Sequence, residues 1–180
     1  MQKSVILDTD IGGDTDDAFA LLLALNSPEI KLELVVTSDE HMGHRAKFAR
    51  MLIKGLGSET KVVSGSDLNN KRLCLVCNIV REEGDVDINY LEAIADVVRR
   101  NGKTHYVCIS PQTNLAAFLD YAPELAGRMD VTIMGGTFDY EREHNMAYDP
   151  KSALKVLNSN LSKLYVLKDI TKNKSLEMAL

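Results

Sequence analysis

The stretch Ser4-Val5-Ile6-Leu7-Asp8-Thr9-Asp10-Ile11-Gly12-Gly13-Asp14-Thr15-Asp16-Asp17-Ala18 decides how the chain is read. Its first part is a short apolar run that predicts a buried strand over residues 4–8. Its last part enters a helix from Asp16 to about Asn26, with Asp14 or Thr15 as the cap. Ala18, Phe19, Leu21, Leu22 and Leu25 give that helix its apolar positions, and Ser27-Pro28 stops it. Between the two lie five aspartates in ten positions, with no lysine or arginine among them. Helix capping and first-turn dipole compensation account for one or two acids, each stabilising by roughly 0.3–1 kcal/mol. Five clustered carboxylates instead repel and raise one another's pKa. A hard cation held by oxygens resolves the repulsion. All-carboxylate ligation, with Asp8 available to it, points to Ca²⁺ or Mg²⁺ rather than zinc. Gly12 and Gly13 let the backbone turn tightly beside a ligand. The plain alternative is a solvated acidic loop.

Outward from this stretch, strand and helix signals keep alternating. Strands are expected at 32–37, 61–64, 105–109, 131–134 and 164–167. Helices are expected at about 43–56 (ended by Gly57), at 89–100 (closed by Asn101-Gly102), from Thr113 with an interruption at Pro123, and from about Pro150. The stretch 65–87 is less legible, with one possible strand at 72–77. The tail after Asp169 reads as a capped helix. Strands separated by helices of ten or more residues predict right-handed crossovers and a mostly parallel, Rossmann-like α/β sheet with helices on both faces, in a single domain over 1–180.

Composition narrows the partners. The 180 residues are 45% hydrophobic and 26% charged, with a net charge of −5. That is ordinary globular composition without a basic face, which argues against nucleic acid. No run approaches the roughly 18 apolar residues of a membrane helix, and the N-terminus has no signal-peptide h-region. Of three cysteines, Cys74 and Cys77 form a C-x-x-C with no second pair to complete a zinc site. They are expected to be reduced, buried strand residues of a cytoplasmic protein. His41 and His44 lack the neighbouring soft ligands that would make them a metal pair.

In parallel sheets ligands bind beyond the carboxyl ends of the strands, and the unusual residues fall there. Strand two ends at Thr37-Ser38-Asp39. The strand at 105–109 ends in Ser110-Pro111-Gln112-Thr113-Asn114, where Thr113 could offer a backbone carbonyl to the metal. The strand at 131–134 ends in Gly135-Gly136 and leads to Glu143-His144-Asn145 and Asp149-Pro150.

Taken in order, these segments resemble the inosine–uridine preferring nucleoside hydrolase family. The family's D-T-D-x-G and D-D-A elements are matched by Asp8-Thr9-Asp10-Ile11-Gly12 and Asp16-Asp17-Ala18, with two extra residues between them. The resemblance implies hydrolysis of the N-glycosidic bond of a ribonucleoside. Asp10 would be general base and Ca²⁺ ligand, Asp17 a second ligand and the Thr113 carbonyl a third. Asp16 would hold a ribose hydroxyl, Glu143 and Asn145 would grip the sugar, and Asp39, a further substrate-binding residue, stands where many members carry Asn. Such a reaction builds oxocarbenium-like charge on the sugar, which surrounding carboxylates stabilise, while Ca²⁺ acidifies a bound water for Asp10 to deprotonate. Family members are longer, supplying a further calcium-binding Asp and often a leaving-group His from a later segment. Two alternatives stand beside this reading: a vestigial domain that binds ribose without turnover, and a haloacid-dehalogenase-type phosphatase using Asp8, Asp10 and Thr37. A homo-oligomer is compatible with either.

Overall fold

The computed structural model describes residues 2–70, 74–80, 84–139 and 142–171. Six strands, β1 (Lys3–Thr9), β2 (Ile30–Thr37), β3 (Lys61–Ser64), β4 (Thr104–Cys108), β5 (Met129–Met134) and β6 (Ser162–Val166), form one sheet in the order β3-β2-β1-β4-β5-β6. Every pairing is parallel. Among the described residues seven α-helices accompany them: α1 (Asp16–Asn26), α2 (His44–Gly55), α3 (Tyr90–Arg100), α4 (Thr113–Tyr121), α5 (His144–Tyr148), α6 (Pro150–Leu157) and α7 (Lys168–Thr171).

The near-continuous apolar strands follow from burial on both faces. Ile6, Leu34, Val36 and Val63 point into one core with Ile94 and Val98 of α3 and Leu115 and Phe118 of α4. Leu7, Val35 and Val62, one residue out of phase, point into the other with Leu21 of α1 and Ala46, Ala49 and Ile53 of α2. Each fully buried side chain of this kind contributes about 1.5–3 kcal/mol. Among the described residues no helix is long and apolar enough to cross a membrane.

The expected elements lie where their signals put them, with three corrections. Thr15 is the N-cap of α1, but neither its side chain nor that of Asp14 caps the helix. The expected strand at 72–77 is, over its described part, a 3-10 turn at Leu75–Asn78. The Leu75 N–H donates to the Gly12 carbonyl (2.9 Å) rather than to a sheet neighbour. Nor are Cys74 and Cys77 reduced: a disulfide joins them, while Cys108 is free and buried. An apolar run flanked by cysteines carries no signal that separates a strand from a turn pinned at both ends. The helix expected after Asp169 falls largely outside the described residues.

Candidate active site

The sheet order reverses between β1 and β4, which opens a crevice at their carboxyl ends. The loop after β1 and the loops after β4 and β5 meet there around a cavity of about 640 Å³. Asp10, Asp14, Asp16 and Asp17 form one wall, Glu143, His144 and Asn145 the other, with Ile109 and Met134 completing it. A larger hollow, about 810 Å³, lies where β2 and β3 begin, between Leu32, Lys61 and Arg100. It gathers no comparable set of reactive groups, so the acidic crevice is the candidate site.

Asp10 is mostly buried. Its Oδ2 lies 3.9 Å from His144 Nε2, and the two share a cluster with Asp39 in which one possible ligand atom from each lies within 4.8 Å of the others. Asp14, Asp16 and Asp17 form a second such cluster. Burial, and then the charge of Asp17, hold the Asp10 carboxyl well above the usual range. Burial likewise pushes Asp17 up to about 7, opposed by the Thr9 hydroxyl that donates to its Oδ1. A hydrogen bond with Asp16, then partial burial, raises Asp14 to about 6. These carboxylates are short of positive charge, the condition a divalent cation would relieve.

One cation is built in. Arg45 of α2 is fully buried and donates through Nη1 to the carbonyls of Asp10 and Ile11, through Nε to the Asp39 carbonyl (2.8 Å), and through Nη2 to Asp39 Oδ2 (3.3 Å). Asn70 also donates to that oxygen. Asp39 Oδ1 is buried and meets no donor at hydrogen-bond geometry, although the Tyr148 hydroxyl is near enough to lower its pKa. Burial outweighs these partners, so the Asp39 carboxyl is raised. Its φ of 49° is left-handed, a conformation that Asp and Asn tolerate better than most residues. A buried, electron-rich oxygen beside Asp10 and His144 fits a cation.

Asp8 stands apart. It is fully buried, outside the cavity wall, and accepts from the Tyr106 hydroxyl (2.6 Å), the Ser110 hydroxyl (2.9 Å) and the Asn114 amide (3.0 Å). Burial raises it to about 6 against these donors. Asn114 also donates to the Thr37 carbonyl and accepts from the Ser66 N–H, so Asp8 sits at a knot tying β1 to the loops after β2, β3 and β4. That geometry makes Asp8 a tie between strand ends and keeps it from a phosphate. Thr113 opens α4, and its hydroxyl donates to Asp149 Oδ2 (2.7 Å); the residue is not part of the cavity wall. His41 and His44 join no metal cluster among the described residues.

Glu143 and Asn145 do reach the crevice. The Glu143 carboxylate caps α5, accepting from the N–H groups of Asn145 (2.7 Å), Met146 (2.9 Å) and Gly136 (3.0 Å). The Asn145 amide donates to the carbonyls of Ile109 (3.2 Å) and Met134 (3.1 Å), bridging the ends of β4 and β5. Sequence reasoning missed Arg45 and His144. Arg45 falls on the apolar stripe of α2, four residues before Ala49 and eight before Ile53. A charge at a core position was its signal.

The family model described as inosine-uridine preferring nucleoside hydrolase matches residues 5–179. The chain belongs to this nucleoside hydrolase family. The non-specific ribonucleoside hydrolase RihC of Klebsiella pneumoniae (strain 342) is 29% identical, over 95% of this chain and 63% of the relative. The pyrimidine-specific ribonucleoside hydrolase RihA of Salmonella arizonae is 28% identical, over 95% and 62%. Among solved structures, the purine-preferring ribonucleoside hydrolase from Gardnerella vaginalis matches with a TM-score of 0.73 at 26% identity, covering 93% of this chain and 61% of that one. A plant nucleoside hydrolase matches with a TM-score of 0.76 at 23% identity, covering 94% and 61%, and supports the fold. This nucleoside hydrolase family chain thus spans less than two thirds of the length of these relatives.

Proposed function

We propose that the chain hydrolyses the N-glycosidic bond of ribonucleosides, with Asp10 as the general base and Ca²⁺ as the cation. One observation supports this most: Asp10, its carboxyl raised by burial, lies across an acidic cavity of about 640 Å³ from Glu143, His144 and Asn145. Asp10 and Asp17 would hold the ion, with Asp39 Oδ1 beside them and the Thr113 carbonyl as a further donor. When bound, the ion supplies positive charge to balance the carboxylates and acidity to a water ligand.

The residues of the chain account for the other steps. Asp16, exposed at the mouth, accepts a hydrogen bond from a ribose hydroxyl. Glu143 and Asn145, both held rigid by the backbone, fix the opposite edge of the sugar. The acidic wall stabilises positive charge as it develops on the anomeric carbon. Asp10 takes a proton from the attacking water and holds it at its carboxylate. The reading is for ribonucleosides as a class, because the relatives' names differ in base preference. Release of ribose from inosine and uridine, followed by reducing-sugar assay with added Ca²⁺, tests it. Asp10→Asn should lower kcat by roughly 10²–10⁴-fold. Ribose binding without turnover, unchanged in Asp10→Asn, would overturn it.

A further inference from the structure

The C-x-x-C is absorbed by neither the fold nor the proposed reaction, yet it sits against the acidic loop. Cys74 and Cys77 close a disulfide around Leu75 and Val76, with their Cα atoms 5.6 Å apart. The Leu75 N–H donates to the Gly12 carbonyl at 2.9 Å. Val76, buried, lies so close over Gly12 that a Cβ there would fall 2.4 Å from Val76 Cγ2. Gly12 has φ +100°, so glycine both permits the turn and leaves room for the valine. Upstream, Asn70 donates to Asp39 Oδ2. From the other side, Arg45 holds the carbonyls of Asp10 and Ile11. The segment Asp10–Gly12 is therefore clamped between a buried arginine and a disulfide-closed turn.

We infer that Cys74–Cys77 is a site of reversible thiol–disulfide exchange with a dithiol reductant, and that its oxidised form holds the acidic loop closed. Cys77 is half-buried and Cys74 buried, so Cys77 is the sulfur an incoming thiolate reaches. Attack forms a mixed disulfide on Cys77 and expels Cys74 as a thiolate, which takes up a proton. The reductant's second thiol then attacks the mixed disulfide and releases Cys77, which is protonated in turn. Two electrons and two protons pass to the protein, and the dithiol becomes a disulfide. With the cross-link gone, Leu75 and Val76 regain freedom, and the turn's hold on Gly12 weakens by roughly tenfold, as expected for a very short closed loop. Cation binding by the acids, which rests on the function proposed above, weakens with it.

The test compares the oxidised chain, the chain reduced by dithiothreitol, and Cys74→Ser/Cys77→Ser. Thiol titration should count one cysteine, buried Cys108, in the oxidised form and three after reduction. Hydrogen exchange at the Leu75 and Ile11 amides should be about tenfold faster in the reduced chain and in the double variant, and reoxidation should restore it only in the native sequence. Ca²⁺ affinity by calorimetry should fall by about the same factor. Three free thiols under oxidising conditions, or equal exchange rates in the two redox states, would overturn the inference. If Ca²⁺ binds neither form, the cation reading fails, while the exchange rates at Leu75 and Ile11 still decide the clamp. If the double variant does not fold, the native chain carried through reduction and reoxidation gives the same comparison.

Discussion

Replacing Asp8 with Asn isolates one buried carboxylate from the others in the acidic loop. Burial raises the Asp8 carboxyl from 3.8 to about 6, and its neighbours donate three hydrogen bonds to it. Between those pH values the folded chain holds a proton that the unfolded chain has released, so stability falls as pH rises. At about 1.36 kcal/mol per tenfold, the full span is about 3 kcal/mol, of which about 2 kcal/mol falls between pH 4.5 and 7.5. Asn copies the protonated acid: its carbonyl can face Ser110 and Asn114, and its amide can face the Tyr106 oxygen. The variant should therefore lie within about 1–2 kcal/mol of the parent at pH 4.5, where the hydrogen-bond pattern is matched. By pH 7.5 it should have gained about 2 kcal/mol relative to the parent.

Urea unfolding of both chains at a series of pH values, with chelator present, measures this directly. The other raised carboxyls contribute the same slope to both proteins and cancel in the difference. A stability difference that does not change between pH 4.5 and 7.5 would refute the assignment of Asp8 as a buried, desolvated tie. The same variant addresses the expectation that Asp8 is a metal ligand. With its oxygens given to three protein donors, Asp8→Asn should change Ca²⁺ affinity by less than about threefold, far less than the loss of a charged oxygen ligand costs.

Three further outcomes follow from the same geometry. Because burial raises both Asp10 and Asp17, the latter to about 7, protons compete with a cation for these oxygens. The rise in Tm on adding Ca²⁺ should be larger at pH 8 than at pH 5.5 by differential scanning calorimetry, and equal rises would count against the site. Arg45→Met keeps the bulk of a buried side chain but takes the guanidinium from buried Asp39, leaving it Asn70, and the donor from three loop carbonyls, so it should cost about 3–5 kcal/mol in denaturant unfolding, with Asp39→Asn recovering part of the loss. Glu143→Gln leaves one of three backbone N–H groups facing an amide instead of a carboxylate oxygen. It should cost about 1–3 kcal/mol of stability and raise KM for ribonucleosides.

The parts of the fold visible in the sequence were those set by local physics. The parallel sheet followed from apolar runs alternating with amphipathic ones, and the start of α6 from an Asp149 cap that accepts the Ser152 N–H at 3.1 Å, with proline behind it. Family membership was legible too, through ordered short motifs at strand ends. What stayed hidden depends on contacts distant along the chain. Arg45 meets Asp10 and Ile11 across 35 and 34 residues, and Asp8 meets Asn114 across 106. Helix α5 is only five residues long and begins at a carboxylate that also reads as an ordinary loop acid. The C-x-x-C turn takes its shape from the Gly12 carbonyl and from the space a missing side chain leaves, neither of which is written near residue 74.

Arg45 changes what the aspartate loop means. Five acids without a basic residue read, in sequence, as a set whose repulsion only an external cation can relieve. The fold supplies an internal cation, but directs much of it at backbone oxygens, the carbonyls of Asp10, Ile11 and Asp39, and at the one carboxylate of Asp39. Its work is to shape the loop. Burial first, and the neighbouring carboxylates after it, keep both Asp10 and Asp17 raised although a guanidinium lies nearby to lower them. A loop held in shape by a residue that does not neutralise it keeps its carboxylates apart and in place, which is what the proposed cation site requires. In the proposed reaction, the same rigidity would hold the raised Asp10 carboxylate in position to take a proton from water.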